Sequence, residues 1–433
     1  MICVINPAGV TAVLLYYCIL KKLYMIKISF IAVVVSFISF FSNAQPKTGD
    51  YRGILYREDG KEVVFNMQIK GTGKQTQVYI INASEKILVK ELQIKGDSVF
   101  FRMPVFESEF KAQVQPDGSL KGIWLKGTAI KTQQWPFVAI PGKKRFDTAQ
   151  GAAKNNISGR WAVTITRANG TTRPAIAEFV QKGNQLTGTF LTPSGDYRYL
   201  QGIVTGDSML LSTFDGAHAY TFSAKVVNEN KIVEGFFGSG IAGRETWIAE
   251  KDDNARLPGG NAPQLKEGYS KLDFVFNDID GKKVSINDER FKNKVVIIQI
   301  MGSWCPNCLD ETKFLSDYYN RNKSRGIEIV SLAYEYSTDF QRSQKSVRRF
   351  QELFNVKYPM LITGVSVSDS LKTEKTLPQI TPIKSFPTTI FLDRNGYVQE
   401  IHSSFYGPGS DKHYEEFKKE FNATVDRLLK KNN

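Results

Sequence analysis

Gly302-Ser303-Trp304-Cys305-Pro306-Asn307-Cys308 follows the apolar, largely β-branched run Val295–Met301 and precedes a stretch, 309–322, whose apolar spacing reads as helix. A Cys-x-x-Cys at a strand-to-helix turn is the arrangement of thiol and disulfide exchange. The chain has four cysteines, and the other two, Cys3 and Cys18, lie within its first twenty residues. Loss of the N-terminus would leave the pair alone.

Such a loss is expected. Met25-Ile26-Lys27 is followed by an uncharged stretch, 28–41, and then by Ser42-Asn43-Ala44-Gln45, the order of a basic region, an apolar region and a small-residue cleavage site. Residues 1–44 therefore read as a signal peptide with an upstream extension, an uncleaved anchor being the alternative. The remainder would be exported, to the periplasm or the extracytoplasmic face of a membrane. With 42% apolar and 23% charged residues the composition is globular. Lys21, Lys22 and Lys27 leave with the leader and no acid does, so the net charge of +14 becomes +11. These cations are scattered rather than clustered, which argues against a nucleic-acid partner.

Outward from the cysteines toward the N-terminus, residues 50–251 alternate apolar and polar side chains in short segments such as 63–69, 77–81, 99–103 and 219–227. This is antiparallel β texture. It recurs: Gly96-Asp97-Ser98 as Gly206-Asp207-Ser208, Phe110-x-Ala112-x-Val114 as Phe222-x-Ala224-x-Val226, Gly122 as Gly235, and Trp135 as Trp247. Ordered anchors at near-constant spacing suggest two β-rich units, 45–145 and 146–251. Neither carries a recognisable catalytic constellation, and His218 is the lone histidine there. Gly238-Ser239-Gly240-Ile241-Ala242-Gly243 has the letters of a dinucleotide-binding loop, but 244–249 reads as strand where that loop needs a helix. No cofactor is expected.

A polar stretch with Pro258, Gly259, Gly260 and Pro263 marks a linker over 252–267. Beyond it strands and helices alternate: Val295–Met301, helix 309–322, Ile327–Ala333, Phe340–Phe354, a hairpin about Asn395-Gly396, and an amphipathic last helix. The fold class expected is α+β multidomain, an N-terminal antiparallel β region followed by an α/β domain over 268–433.

Here a resemblance is specific. Asp273-Phe274, Asp280-Gly281-Lys282, Lys294-Val295-Val296-Ile297-Ile298, the segment 302–308, and Ser385-Phe386-Pro387-Thr388-Thr389-Ile390-Phe391-Leu392-Asp393 resemble the TlpA and ResA branch of extracytoplasmic thioredoxin-fold thiol-disulfide oxidoreductases. The resemblance implies a redox-active Cys305–Cys308 disulfide, with Cys305 as nucleophile and Cys308 as the resolving thiol. It implies that Trp304 shields the pair and that Pro387 is cis beside it. Phe386 and Thr388 would then meet substrate. Clients would be proteins carrying disulfides or thiols, electrons would come from a membrane-bound donor, and cytochrome c biogenesis is the family's best-known task.

Two departures stand out. Thioredoxin has a buried acid six residues before its first cysteine; here the position is Gln299, which cannot accept a proton, and the ResA branch points to Glu311 instead. Seventy-nine positions separate Cys308 from Pro387, and within that excess 364–383 is expected to form a surface loop that shapes partner choice. A zinc site lacks a second ligand pair, so no metal is expected, and haem attachment needs a histidine where Leu309 stands. Two rivals remain: a thiol peroxidase, and a ligand- or client-binding protein whose thioredoxin-like domain is only a scaffold.

Overall fold

In a computed structural model the chain is described over residues 45–146, 151–259 and 262–430; Cys3, Cys18 and the expected signal peptide lie outside these. Among the described residues no helix is long and apolar enough to cross a membrane.

Val295–Met301 is buried along its whole length. A strand buried on both faces must be covered on both, and the residues divide by parity. Val295, Ile297 and Met301 pack against Phe314, Leu315, Val347, Phe350, Phe421 and Val425, from helices α1 (Pro306–Asn322), α2 (Phe340–Phe354) and α4 (Lys412–Lys430). Val296, Ile298 and Ile300 pack the other way, against Leu272, Phe274 and Phe291 and against Leu377, Ile380 and Ile383. These last three belong to the stretch 364–383, which is therefore not a surface loop. It contains the short helix α3 (Lys372–Thr376), and Leu377 and Ile380 are wholly buried because the even-numbered face of the central strand would otherwise meet water. The seven-stranded sheet places Val295–Met301 between the parallel Ile327–Ala333 and the antiparallel Thr388–Leu392.

The named strands of the N-terminal region all pair antiparallel, in two nine-stranded sheets. In the first, Gly49–Tyr56 pairs with both Glu62–Lys70 and Gln133–Pro141. Its strand order ends at Glu85–Val89 on one side and Glu91–Lys95 on the other. Only Lys90 joins these two edge strands, and they do not pair with each other, so the sheet stays open. In the second sheet Gly159–Arg167 pairs with Thr172–Lys182 and Gly243–Lys251, and Thr172–Lys182 also pairs with Gln185–Thr192. That pairing closes it into a barrel filled by side chains. Phe222 stacks between Phe190 and Phe237, with ring centroids at 4.7 and 4.4 Å. The glycine-rich 238–243 is the hairpin between Lys231–Ser239 and Gly243–Lys251, with no helix after it.

Candidate active site

The turn after the central strand is held by a buried carboxylate. Glu335 accepts the backbone N–H of Ser303 (2.8 Å) and its hydroxyl, and burial pushes this acid up to about 7. Gly302 leaves room for the Trp304 indole, which a Cβ would meet at 2.1 Å. Trp304 Nε1 donates to the Tyr334 carbonyl (2.8 Å), and the ring stacks on Tyr336 and meets the edge of Phe386.

Helix α1 starts at Pro306, whose missing N–H costs nothing in a first turn. Cys305 is thereby its N-cap: the Cys308 N–H donates to Cys305 Sγ (3.3 Å), an orientation that stabilises negative charge on sulfur. Cys305 Sγ also donates to the carbonyl of Phe386 (3.6 Å), and the following Phe386–Pro387 bond is cis. Both thiols are free. Cys308 is fully buried, and burial, then its hydrogen bond with Cys305, raises its thiol well above the ordinary range. Thr388 does not face this surface with its side chain: it is wholly buried and its hydroxyl donates to Ser385 O (2.9 Å). Thr388 begins the inner strand Thr388–Leu392.

Beneath the cysteines lies a second group. Glu311 is 2% exposed, its Oε2 accepting from Gln299 Nε2 (2.9 Å) and its Oε1 from Thr389 Oγ1 (2.6 Å). Gln299 belongs to the helix-facing parity of the central strand, so it meets α1 one turn below the cysteines. Burial pushes Glu311 up to about 7 against these two hydrogen bonds, and its charge is felt at Cys308. It also lines a second cavity, of about 400 Å³, with Pro387, His402 and His413.

That shift fixes a pH dependence. A carboxyl titrating near 7 when folded and 4.5 when unfolded favours folding below 4.5 and loses that advantage as pH rises through 7. Glu311→Gln should therefore stabilise the protein at pH 8 by about 3 kcal/mol and leave it nearly unchanged at pH 4, read by urea unfolding at the two pH values.

The β region, which sequence alone left without a role, closes over the cysteines. Arg198 is the hub: Nε and Nη2 donate to both carboxylate oxygens of Asp310 (2.8 and 3.0 Å), Nη1 to Asp215 (2.9 Å), and Nη2 to Glu85 (2.7 Å). One buried guanidinium thus ties the first sheet, the second sheet and helix α1. Burial raises Glu85 to about 7, which lightens the excess of three carboxylates over one cation. Asn307 Nδ2 donates to the carbonyl of Asp196 (3.2 Å), whose carboxylate accepts the N–H of Gly407 (2.8 Å). Gly195 holds φ +133, and a Cβ there would meet Asn307 at 2.1 Å. His218 Nδ1 lies 3.2 Å from Asp215, its ring stacked on Tyr220. The result is a cleft over Cys305 in which only 6% of that residue is exposed. Nothing in the motif announced Arg198, Asp196 or His218; Arg198 and Asp310 are 112 positions apart. Among the described residues no cluster of His, Cys, Asp and Glu could hold a metal ion.

Residues 259–416 match the Redoxin family. The chain is 29% identical over 139 residues to the thiol-disulfide oxidoreductase ResA of Bacillus thuringiensis subsp. konkukian, covering 32% of this chain and 70% of that protein. It is 26% identical over 137 residues to ResA of Bacillus subtilis, covering 32% and 67%. Among solved structures it is similar to the thioredoxin domain of a thiol-disulfide oxidoreductase from Bacteroides vulgatus (24% identical, 36% of this chain and 99% of that one, TM-score 0.26). It is also similar to a thiol:disulfide interchange protein of the thioredoxin family from Chlorobium tepidum (19%, 38% and 99%, TM-score 0.29).

Proposed function

Because residues 259–416 are a Redoxin domain with thiol-disulfide oxidoreductases among its relatives, we propose that the protein reduces client disulfides through a Cys305/Cys308 dithiol cycle. The observation that carries this reading is the pair of free thiols at the start of α1, one capping the helix and one buried behind it above a carboxyl poised near neutrality. Cys305 sulfur attacks one client sulfur; the client S–S bond breaks and its electron pair leaves on the other sulfur, which takes a proton. Cys308 then yields its proton to Glu311 and attacks Cys305, releasing the second client thiol and leaving a Cys305–Cys308 disulfide. Two electrons have passed to the client. Trp304 shields the pair, and the Phe386 carbonyl beside Pro387 holds the Cys305 thiol. Glu311 returns its proton through the second cavity, so the rate of this step should rise with pH through about 7 in the native protein and lose that inflection in Glu311→Gln.

The protein works after export, through the leader in 1–44, and a membrane-bound donor restores the dithiol, which suits a reductant in an oxidising compartment. The β region is two copies of one unit, 45–145 and 146–251, joined through 252–267 to the thioredoxin-like domain. Corresponding anchors support this: Gly96 and Gly206 both hold positive φ ahead of a strand, and Gly122 and Gly235 each lie too close to the neighbouring strand for a Cβ. Trp135 and Trp247 stand in the strand that pairs back on the first of each sheet. The filled barrel gives a ligand-binding role little support, and Cys308 beside Cys305 does not suit a peroxidase.

The test is redox equilibration of the full chain against dithiothreitol buffers, with the thiols counted by alkylation and mass. The two thiols should interconvert with one disulfide at a potential below about −150 mV. No Cys305–Cys308 disulfide at any poise would overturn the enzyme; a more positive potential would overturn its role as a reductant.

A further inference from the structure

The cleft over Cys305 has a volume of about 410 Å³, the size of a small-molecule site. Its walls come from all three sheets: Lys126 from the first, 194–197 and 217–220 from the second, and 304–307 with Phe386 from the third. The wall from the second sheet is fastened on the far side as well as through Asn307. Tyr406 donates its hydroxyl to Thr192 O (3.1 Å) and Ser404 to Pro193 O. Such a wall narrows the approach to Cys305, which is 6% exposed.

Two lysines, Lys126 and Lys384, and one acid, Asp196, are the charged side chains of the cleft lining. Lys126 Nζ donates to the Ala217 carbonyl and lies 5.9 Å from the centre of the Trp124 ring; burial lowers its pKa and the charge of Asp215 opposes that, with no carboxylate in ion-pair reach among the described residues. Lys384 stands at the rim, and His218 beside Tyr220. The acid in the lining, Asp196, already accepts the N–H groups of Arg198 and Gly407. Asn307 Oδ1 is buried with no donor, although the same side chain lines the cleft. An ammonium that no carboxylate touches and an amide oxygen without a donor are complementary to a carboxylate and an N–H.

We infer that the cleft selects slender peptide disulfides bearing a carboxylate near the sulfur, and that Lys126 is a specificity-determining residue contributed by the first β sheet. This rests on the dithiol cycle proposed above. The chemistry is shared by a small thiol peptide and by an unfolded acidic segment.

The experiment is single turnover of the reduced full chain, followed by loss of its thiols. Three probes are compared: oxidised glutathione, a linear acidic peptide with one disulfide, and folded insulin, with bis(2-hydroxyethyl) disulfide as the neutral reference. In each reaction one probe disulfide becomes two thiols as Cys305 and Cys308 form their own. Oxidised glutathione or the linear peptide should react at least about tenfold faster than the neutral reference and than insulin, a factor in keeping with one charge-assisted contact. The faster of the two identifies the source. Lys126→Met should bring the ratio to the neutral reference down to about one, and Lys126→Arg should restore it. Insulin reacting as fast as the peptides would overturn the inference, and so would an unchanged ratio in Lys126→Met. Failure on all four disulfides would instead overturn the dithiol cycle.

Discussion

Cys305→Ser should lower disulfide reduction by on the order of a thousandfold or more, while Cys308→Ser should still attack and then stop as a stable mixed disulfide with its client. A serine hydroxyl stays protonated at neutral pH and offers no sulfur for exchange, so the first substitution removes the nucleophile. The second keeps it: Cys305 retains the N–H of residue 308, because the donor is backbone. What is lost is the second attack, which needs the buried sulfur above Glu311. Non-reducing electrophoresis and mass spectrometry separate the two outcomes. Equal loss without a mixed disulfide would contradict the order of attack, and retained activity in Cys305→Ser would contradict the cycle.

Arg198→Met should be the most destabilising substitution outside the cores. It removes the one guanidinium that Asp310, Asp215 and Glu85 share, and stranding buried charge in this way costs about 3 to 5 kcal/mol. The urea midpoint should fall accordingly at pH 7 and fall less at pH 5, where Glu85, held near 7, is protonated. Alkylation of Cys305 by iodoacetamide in native buffer should quicken as well, because the tie between α1 and the second sheet is gone. Arg198→Lys keeps the charge but cannot serve three carboxylates at once, so it should fall between the two. A midpoint within about 0.5 kcal/mol of the native protein would show that the cluster binds nothing together.

What sequence reading could reach here follows from distance along the chain. Val295–Met301, the cysteine pair and the helix after it are local patterns, legible because each periodicity declares its own element. Glu311 came through resemblance, and its carboxyl lies against Gln299, the residue that had seemed to leave the site without a base. That meeting depends on strand parity and helix phase together. The stretch 364–383 misled because turn residues and lysines outnumber its apolar ones, although Leu377, Ile380 and Ile383 carry the burial. The wall over Cys305 was beyond reach: its parts are single residues far apart in the chain, brought together only when two sheets and a helix share one arginine.

The unequal closure of the two β sheets divides labour between them. Edge strands without a second partner are where a sheet frays, so the first sheet can open at Glu85–Val89 and at Glu91–Lys95. The ring of paired strands in the second has no such starting point. It is the second that holds the backbone against Asn307 and the first that reaches in with one long side chain, Lys126. Rigid framing and adjustable contact thus come from separate halves of one molecule, and changes in client preference could accumulate in the first half without loosening the grip of the second on the redox pair.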